Sequence, residues 1–204
     1  IMHEQVLLQL IDDYFLPKGF RGSPNFIRDF HNYLLPLINE TRISANKVLY
    51  TEQSIPTSIY FLLSGIAYST MEFKYKKMMV APFLWLGPSI VGDGKSFYKQ
   101  KPARFGVAIQ GYATVYQLER GHLQMIEDRF PNVCANIRLT IRQQNNEVRL
   151  WKEQLSYESA PTRLSKLIEN RPLLVEHILQ KHLASHLGIY ETYCSTLMYA
   201  YKNK

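Results

Sequence analysis

At 204 residues, 46% hydrophobic and 20% charged, the chain is long enough for one sizeable core plus a small second module and is expected to be a folded, soluble protein. Its longest apolar runs, Ile59 to Leu63 and Met78 to Leu86, are far short of the roughly 20 residues that cross a bilayer, and no charged-then-apolar leader opens the sequence, so the expectation is a cytoplasmic protein with no membrane partner. The net charge of +7 suits a polyanionic partner, because Lys and Arg gain affinity for phosphates by releasing counterions, although the charge is scattered rather than gathered into one block.

In chain order, Val6, Leu7, Leu10, Ile11, Tyr14 and Phe15 recur at helical spacing, and Phe26, Phe30, Tyr33, Leu34, Leu37 and Ile38 repeat the pattern, which predicts two opening helices. From about Lys47 to Leu118 the texture changes to short β-rich runs. These are Val48 to Tyr50, Ile59 to Leu63, a break at Ser64-Gly65, Ile66 to Thr70, Met78 to Leu86, Phe105 to Ile109 and Ala113 to Leu118. Many short strands at such spacing imply a small antiparallel roll or barrel. A helix is predicted over Glu119 to Phe130, with Pro131 placed to start the next.

In that next, long helix Cys134, Ile137, Ile141, Gln144, Val148, Trp151 and Leu155 fall at alternating steps of three and four, an a/d seam with a polar break at Gln144. A helix lying on its own domain needs a wider apolar stripe. The remaining faces are strongly polar, so Ile137, Ile141, Gln144, Val148 and Trp151 are read as a two-fold dimer seam. Ala160-Pro161 marks a break, followed by a helix around Thr162 to Glu169 and a loop at Asn170-Arg171-Pro172.

The last quarter carries the sharpest pattern. Ala184 is followed four residues on by Gly188, with apolar residues at Leu183, Leu187, Ile189, Cys194 and Leu197, which fits two short helices crossing at a tight turn, a helix-turn-helix. The small Ala permits close approach, Gly supplies the turn, and the outward positions of the second helix would face the major groove of DNA.

Catalytic signatures are lacking: no phosphate-cradling glycine loop ending in Lys-Ser or Lys-Thr, no His-Glu-x-x-His and no Gly-x-Ser-x-Gly occurs, so no enzyme and no catalytic residues are expected. His182 and His186, four apart with His177 nearby, have a spacing that can hold a metal, but no third ligand follows from spacing, and they read as surface polar residues, so no metal site is assigned. Cys134 and Cys194 read as small buried hydrophobes rather than a disulfide pair. The adjacent acids Asp12-Asp13 and Glu127-Asp128 read as solvated surface, and the C-terminal tyrosines as core and interface residues.

Roll, long helix and terminal helix-turn-helix, in that order, resemble the cyclic-AMP receptor (Crp/Fnr) family of bacterial transcription regulators. The resemblance is carried by Ile59-Tyr60-Phe61-Leu62-Leu63-Ser64-Gly65, by Ala160-Pro161-Thr162-Arg163-Leu164 and by Leu183-Ala184-Ser185-His186-Leu187-Gly188-Ile189. It implies an α+β fold: a cyclic-nucleotide-binding-like, jelly-roll type antiparallel β-roll with flanking helices over residues 1–130, a dimerisation helix over 131–157 and a helix-turn-helix DNA-binding domain over 158–204. It also implies double-stranded DNA, a second copy of the chain and RNA polymerase as partners.

In family members that hold a cyclic nucleotide, a Gly-Glu pair takes the ribose hydroxyl and an Arg about ten residues on captures the phosphate, which needs a bidentate cation and free N–H groups at a helix start. Here Gly92-Asp93 matches the pair with a shorter acid, Gly94 and Ser96 lie in the cassette, and the arginine place falls on Ala103 with Arg104 beside it. A one-residue slip on a strand turns a side chain to the opposite face, so Arg104 is expected to miss the pocket. Ordinary cyclic-AMP binding is therefore not expected; no cofactor is assigned, and the effector is an unidentified small molecule.

Where the family presents arginines and a Glu on the recognition helix, this sequence has Glu191, Thr192 and Thr196. Base readout falls to Thr192, Ser195, Thr196 and Tyr199, with Tyr190 and Glu191 at the helix start and Lys181, Lys202 and Lys204 near phosphates. The expected function is a homodimeric DNA-binding transcription regulator. Two alternatives stand beside it: a sensor or interaction module whose DNA-binding end has decayed, and a nucleotide receptor using Asp93 and Arg104 in a shifted geometry.

Overall fold

A computed structural model of the chain describes residues 2–16, 20, 22–73, 78–131, 133 and 135–203. Two helices, α1 (Met2–Phe15) and α2 (Pro24–Leu34), open the fold; α2 is capped by Ser23, whose hydroxyl accepts from Phe26 N. The chain then turns at Leu35–Leu37 into a strand, β1 (Ile38–Ile43), rather than continuing the helix through Ile38. The strands β2 (Lys47–Tyr50), β3 (Ser58–Phe73), β4 (Met78–Val80), β5 (Leu84–Leu86), β6 (Ser89–Val91) and β7 (Gly106–Glu119) follow, with the short helix α3 (Gly94–Lys99) between the last two.

All the pairings described are antiparallel and centre on β3 and β7, which run side by side from Ser58↔Glu119 to Thr70↔Gly106. What the sequence shows as a break at Ser64-Gly65 is an irregularity inside one long strand: the register shifts there, and Gly65 takes φ +100° where a Cβ would lie 2.6 Å from Tyr112 O. Likewise Phe105 to Ile109 and Ala113 to Leu118 join through Gly111 into β7, while Met78 to Leu86 divides into β4 and β5.

The unbroken run Ile59 to Leu63 is apolar because both faces of β3 are covered. Ile59, Phe61 and Leu63 pack with Ile11, Phe15, Phe30, Leu34 and Leu123 under the flanking helices. Tyr60 and Leu62 face the roll interior with Phe83, Trp85, Phe105 and Val107. That interior is filled with rings: Phe83 stacks on Trp85 at 5.2 Å and 13°, and Phe105 lies 5.2 Å from Phe83.

Beyond the roll come α4 (Arg120–Arg129), the long α5 (Ala135–Tyr157), α6 (Ala160–Asn170), α7 (Pro172–His177), α8 (Gln180–Leu187) and α9 (Glu191–Lys202). Pro131 sits in a turn rather than at a helix start, and Asn170 to Pro172 is the joint between α6 and α7, a helix the loop reading omitted. A third core unites Leu164, Leu174, Val175, Leu183, Leu187 and Cys194 of these helices with Ile66, Ala81 and Leu84 of the roll. Among the described residues no helix is long and apolar enough to cross a membrane.

The stripe read as a dimer seam is turned inward. Ile141 packs on the core beneath α1, Val148 on the roll interior, Gln144 bonds the α3 turn, and the buried Trp151 donates Nε1–H to His186 O at 2.9 Å. The cause is the breadth of the surface under α5, which spans α1, α3, the roll and α8, so the narrow apolar stripe is supplemented by polar contacts. The side chain of Ile137 lies outside the described residues, as do Cys134 and Lys204.

Candidate functional site

β6 ends at Val91 and the chain turns through Gly92 (φ +138°) into Asp93, the N-cap of α3. The side chain of Asp93 is 0% exposed. One carboxylate oxygen accepts from Ser96 N at 3.3 Å; the other lies 2.8 Å from Ser96 Oγ and accepts from Arg104 N at 2.9 Å. Arg104 then grips the carboxylate from the side, with Nη2 2.6 Å from Oδ1 and Nε 3.0 Å from Oδ2, and sends Nη1 to Asn145 Oδ1 on α5 at 2.6 Å. Burial, the largest single influence on the Asp93 carboxyl, pushes its pKa up; the hydrogen bonds and charge of Arg104, with Ser96, outweigh it and hold the group below the usual carboxylate range.

The expectation that Arg104 misses the pocket is corrected by this geometry. Residues 101–105 precede β7 in irregular backbone, so strand alternation does not govern them. Ala103 is buried and serves through its backbone, donating to Ser54 O at 2.7 Å and accepting from Gln53 N at 2.9 Å. Gly94 N donates to Gln144 Oε1 at 3.1 Å while Gln144 Nε2 donates to Gly92 O, and Asp93 N donates to the hydroxyl of the partly buried Tyr50 at 2.6 Å. The cation and the N–H groups of a helix start, which together suit an anion, are thus occupied by the chain's own carboxylate and amide. Gly92, Asp93, Gly94, Ser96, Ala103 and Arg104 do come together; Tyr50, Gln144 and Asn145 join them unforeseen, because partners 40 to 50 residues away leave no trace in local spacing.

At the other end, α8 stops at Gly188 (φ +65°), where Ile189 N donates to Ala184 O at 3.1 Å, and α9 leaves from Tyr190. Ala184 and Cys194 are buried where the two helices meet, and burial pushes the Cys194 thiol up to about 11. Arg163 of the Ala-x-x-Arg-Leu segment donates Nη2 to Leu187 O at 2.6 Å, tying α6 to the end of α8. Tyr190 (75% exposed), Glu191, Thr192, Ser195, Thr196 and Tyr199 (73%) lie on the open side of α9, and Lys181 and Lys202 are exposed beside them.

His182 and His186 are not surface residues. His182 stacks on Tyr68 with ring centroids 3.6 Å apart, and His186 Nδ1 lies 2.7 Å from Ala81 O. Burial pushes both imidazoles down to about 4, Lys181 adding to the shift of His182 and Arg171 and Arg163 to that of His186, so both are neutral near pH 7. Ala81 N donates to Ser185 O at 3.2 Å and Arg171 Nη1 to Leu84 O at 2.7 Å. The helix-turn-helix is seated on the β4–β5 corner of its own roll, a docking that motif spacing does not encode.

Fold and site together define a roll of the cyclic-nucleotide-binding type joined by a long helix to a helix-turn-helix. No family model and no curated protein matches the sequence. Solved structures do match the fold. The c-di-GMP responsive global regulator CLP of Xanthomonas campestris superposes with a TM-score of 0.67 at 10% identity, over 86% of this chain and 92% of that one. FixK2 of Bradyrhizobium japonicum gives 0.67 at 11% identity, over 81% and 85%. The catabolite activator protein of Thermus thermophilus gives 0.54 at 16%, over 90% and 86%. The chain therefore has the fold of the Crp/Fnr-type regulators.

Proposed function

We propose that this chain is a DNA-binding transcription regulator of the Crp/Fnr type, not an enzyme, acting in the cytoplasm with RNA polymerase downstream. The observation that carries the reading is the presentation of α9: its buried side is fixed against α8 by Ala184, Gly188 and Cys194, while the side a recognition helix offers to the major groove is open. Lys181 and Lys202 are exposed and free to reach phosphates, which supports the reading.

The chain works as a homodimer through the outer side of α5. Leu139, Leu150 and Tyr157, spaced 11 and 7 residues apart, are exposed on it, with Gln143 and Asn146 completing a second stripe of three- and four-residue steps. Its roll does not take a cyclic nucleotide in the usual way, because Asp93 holds the arginine and the helix-start N–H groups that a cyclic phosphate would need. That occupancy favours this reading over a receptor using Asp93 and Arg104.

The test is fluorescence anisotropy of the full chain with a pool of duplex fragments at two salt concentrations, with random duplex as competitor. Selective binding that weakens steeply with salt is expected, since each neutralised phosphate adds about 0.9 to the slope of log K on log salt. Absence of binding at low salt, with or without cyclic AMP, would overturn the reading in favour of a decayed DNA-binding end. Calorimetric binding of cyclic AMP at micromolar concentration would overturn the account of the roll.

A further inference from the structure

The outward side of α9 holds no Arg or Lys between Tyr190 and Tyr201, so it lacks the side chains that read guanine through paired hydrogen bonds. Two of its hydroxyls are already engaged. Thr196 Oγ1 donates to Thr192 O at 3.3 Å, and Ser195 Oγ donates to Glu191 O at 3.1 Å while accepting from Gln180 Nε2. Gln180 is the amide side chain nearest the helix start, and that contact spends it within the fold instead of leaving it for an adenine edge.

A threonine whose hydroxyl bonds back to the carbonyl four residues earlier turns its methyl away from the helix. Thr196 is bonded in this way, and Thr192 and Tyr199 lie one turn to either side of it on the same exposed face, so a threonine methyl and a ring stand there with no cationic side chain beside them. In the major groove the one base feature that such a surface complements is the C5-methyl of thymine.

Resting on the DNA-binding reading above, we infer that this helix recognises thymine methyl groups in A·T-rich duplex, with Thr192 and Thr196 as the specificity-determining residues. Binding energy then comes from apolar contact in the groove and phosphate contacts outside it, and guanine at the contacted positions adds nothing.

The experiment selects duplexes from a randomised core with the full chain, then compares the selected duplex with the same sequence carrying uracil for thymine, which removes only the methyl. An A·T-rich selection is expected, with affinity falling about fourfold for each contacted thymine replaced, the effect of withdrawing one buried methyl. Thr192→Ser with Thr196→Ser keeps the hydroxyls on exposed positions and is expected to bind thymine and uracil duplexes equally, with an unchanged circular dichroism spectrum. A guanine-dependent selected site, or equal affinity of the unaltered chain for the two duplexes, overturns the inference while leaving DNA binding intact. Failure to enrich any duplex at low salt overturns the DNA-binding reading and this inference with it.

Discussion

Removing one member of the Asp93–Arg104 pair should cost far more than a surface ion pair, and the two single variants should differ. Breaking a buried pair by deleting one partner costs about 3–5 kcal/mol, because an uncompensated charge stays behind. In Asp93→Ala the stranded guanidinium is 33% exposed and recovers water, so the loss should lie near ~3 kcal/mol, part of it the α3 cap. In Arg104→Leu the stranded carboxylate is 0% exposed and keeps only Ser96 and one backbone N–H, so the loss should approach ~5 kcal/mol. Urea melts followed by fluorescence, with Trp85 in the adjoining roll interior, measure both; at about 2–4 °C per kcal/mol for a chain of this size, the thermal midpoints should drop by roughly 6–12 °C and 10–20 °C. The double variant should lose less than the sum of the singles. Because the native pKa of Asp93 is depressed, its contribution is full above the ordinary value of 3.8 and is lost as pH falls through the lower native value, so Asp93→Ala should flatten the acid limb of the stability profile. An Arg104→Leu cost under about 1 kcal/mol would show that the pair is a solvated ornament and would refute the reasoning.

Gly188→Ala forces a left-handed φ of +65° on a residue whose Cβ would meet Leu155 Cδ2 at 2.8 Å, so a loss of about 1–2 kcal/mol is expected in denaturant melts followed by tyrosine fluorescence. Trp151→Phe drops the bond to His186 O, worth about 1 kcal/mol, and leaves a void where the second indole ring was buried, so it should cost more than about 1 kcal/mol and raise protease sensitivity after α5. His182 and His186, each lowered to about 4 from 6.5 by burial, oppose docking once protonated, so the docked state is fully held above pH 6.5 and weakens progressively as pH falls towards 4. Limited proteolysis should therefore free the C-terminal helices near pH 4.5; equal cleavage at pH 4.5 and pH 7 would contradict this. Leu139→Asp with Leu150→Asp should convert a dimer to monomers on a sizing column with an unchanged circular dichroism spectrum, and should remove any concentration dependence of the melting midpoint.

What was legible in the sequence is what repeats locally. Helical spacing marks α1, α2 and α5, β-branched and aromatic runs mark β3 and β7, and the Ala184 to Gly188 interval marks the turn before α9, because each is set by contacts within a few residues. The direction of α5 was not legible. An a/d stripe looks the same whether a partner helix or the chain's own roll covers it, and only the positions of Gly94, His186 and the roll interior decide. The place of Arg104 is hidden for a related reason: alternation applies inside a strand, and the strand begins two residues later at Gly106. His182 and His186 look like surface residues in the sequence because the partners that bury them, Tyr68 and Ala81, are more than 100 residues away in the chain.

The seat of α8 on Ala81 has a mechanical consequence. One residue of the β4–β5 connection gives its N–H to Ser185 and its carbonyl to His186, so α8, and α9 with it, follows that corner as a stylus follows its arm. A swivel in the connection between α5 and α6 cannot reorient α9 while those two bonds hold. If the chain pairs and binds DNA as proposed, the distance between the two α9 helices is then set by how roll stands against roll, and a tilt of the sheets by a few degrees would be delivered at the tips as a change of pitch against half-sites about 34 Å apart.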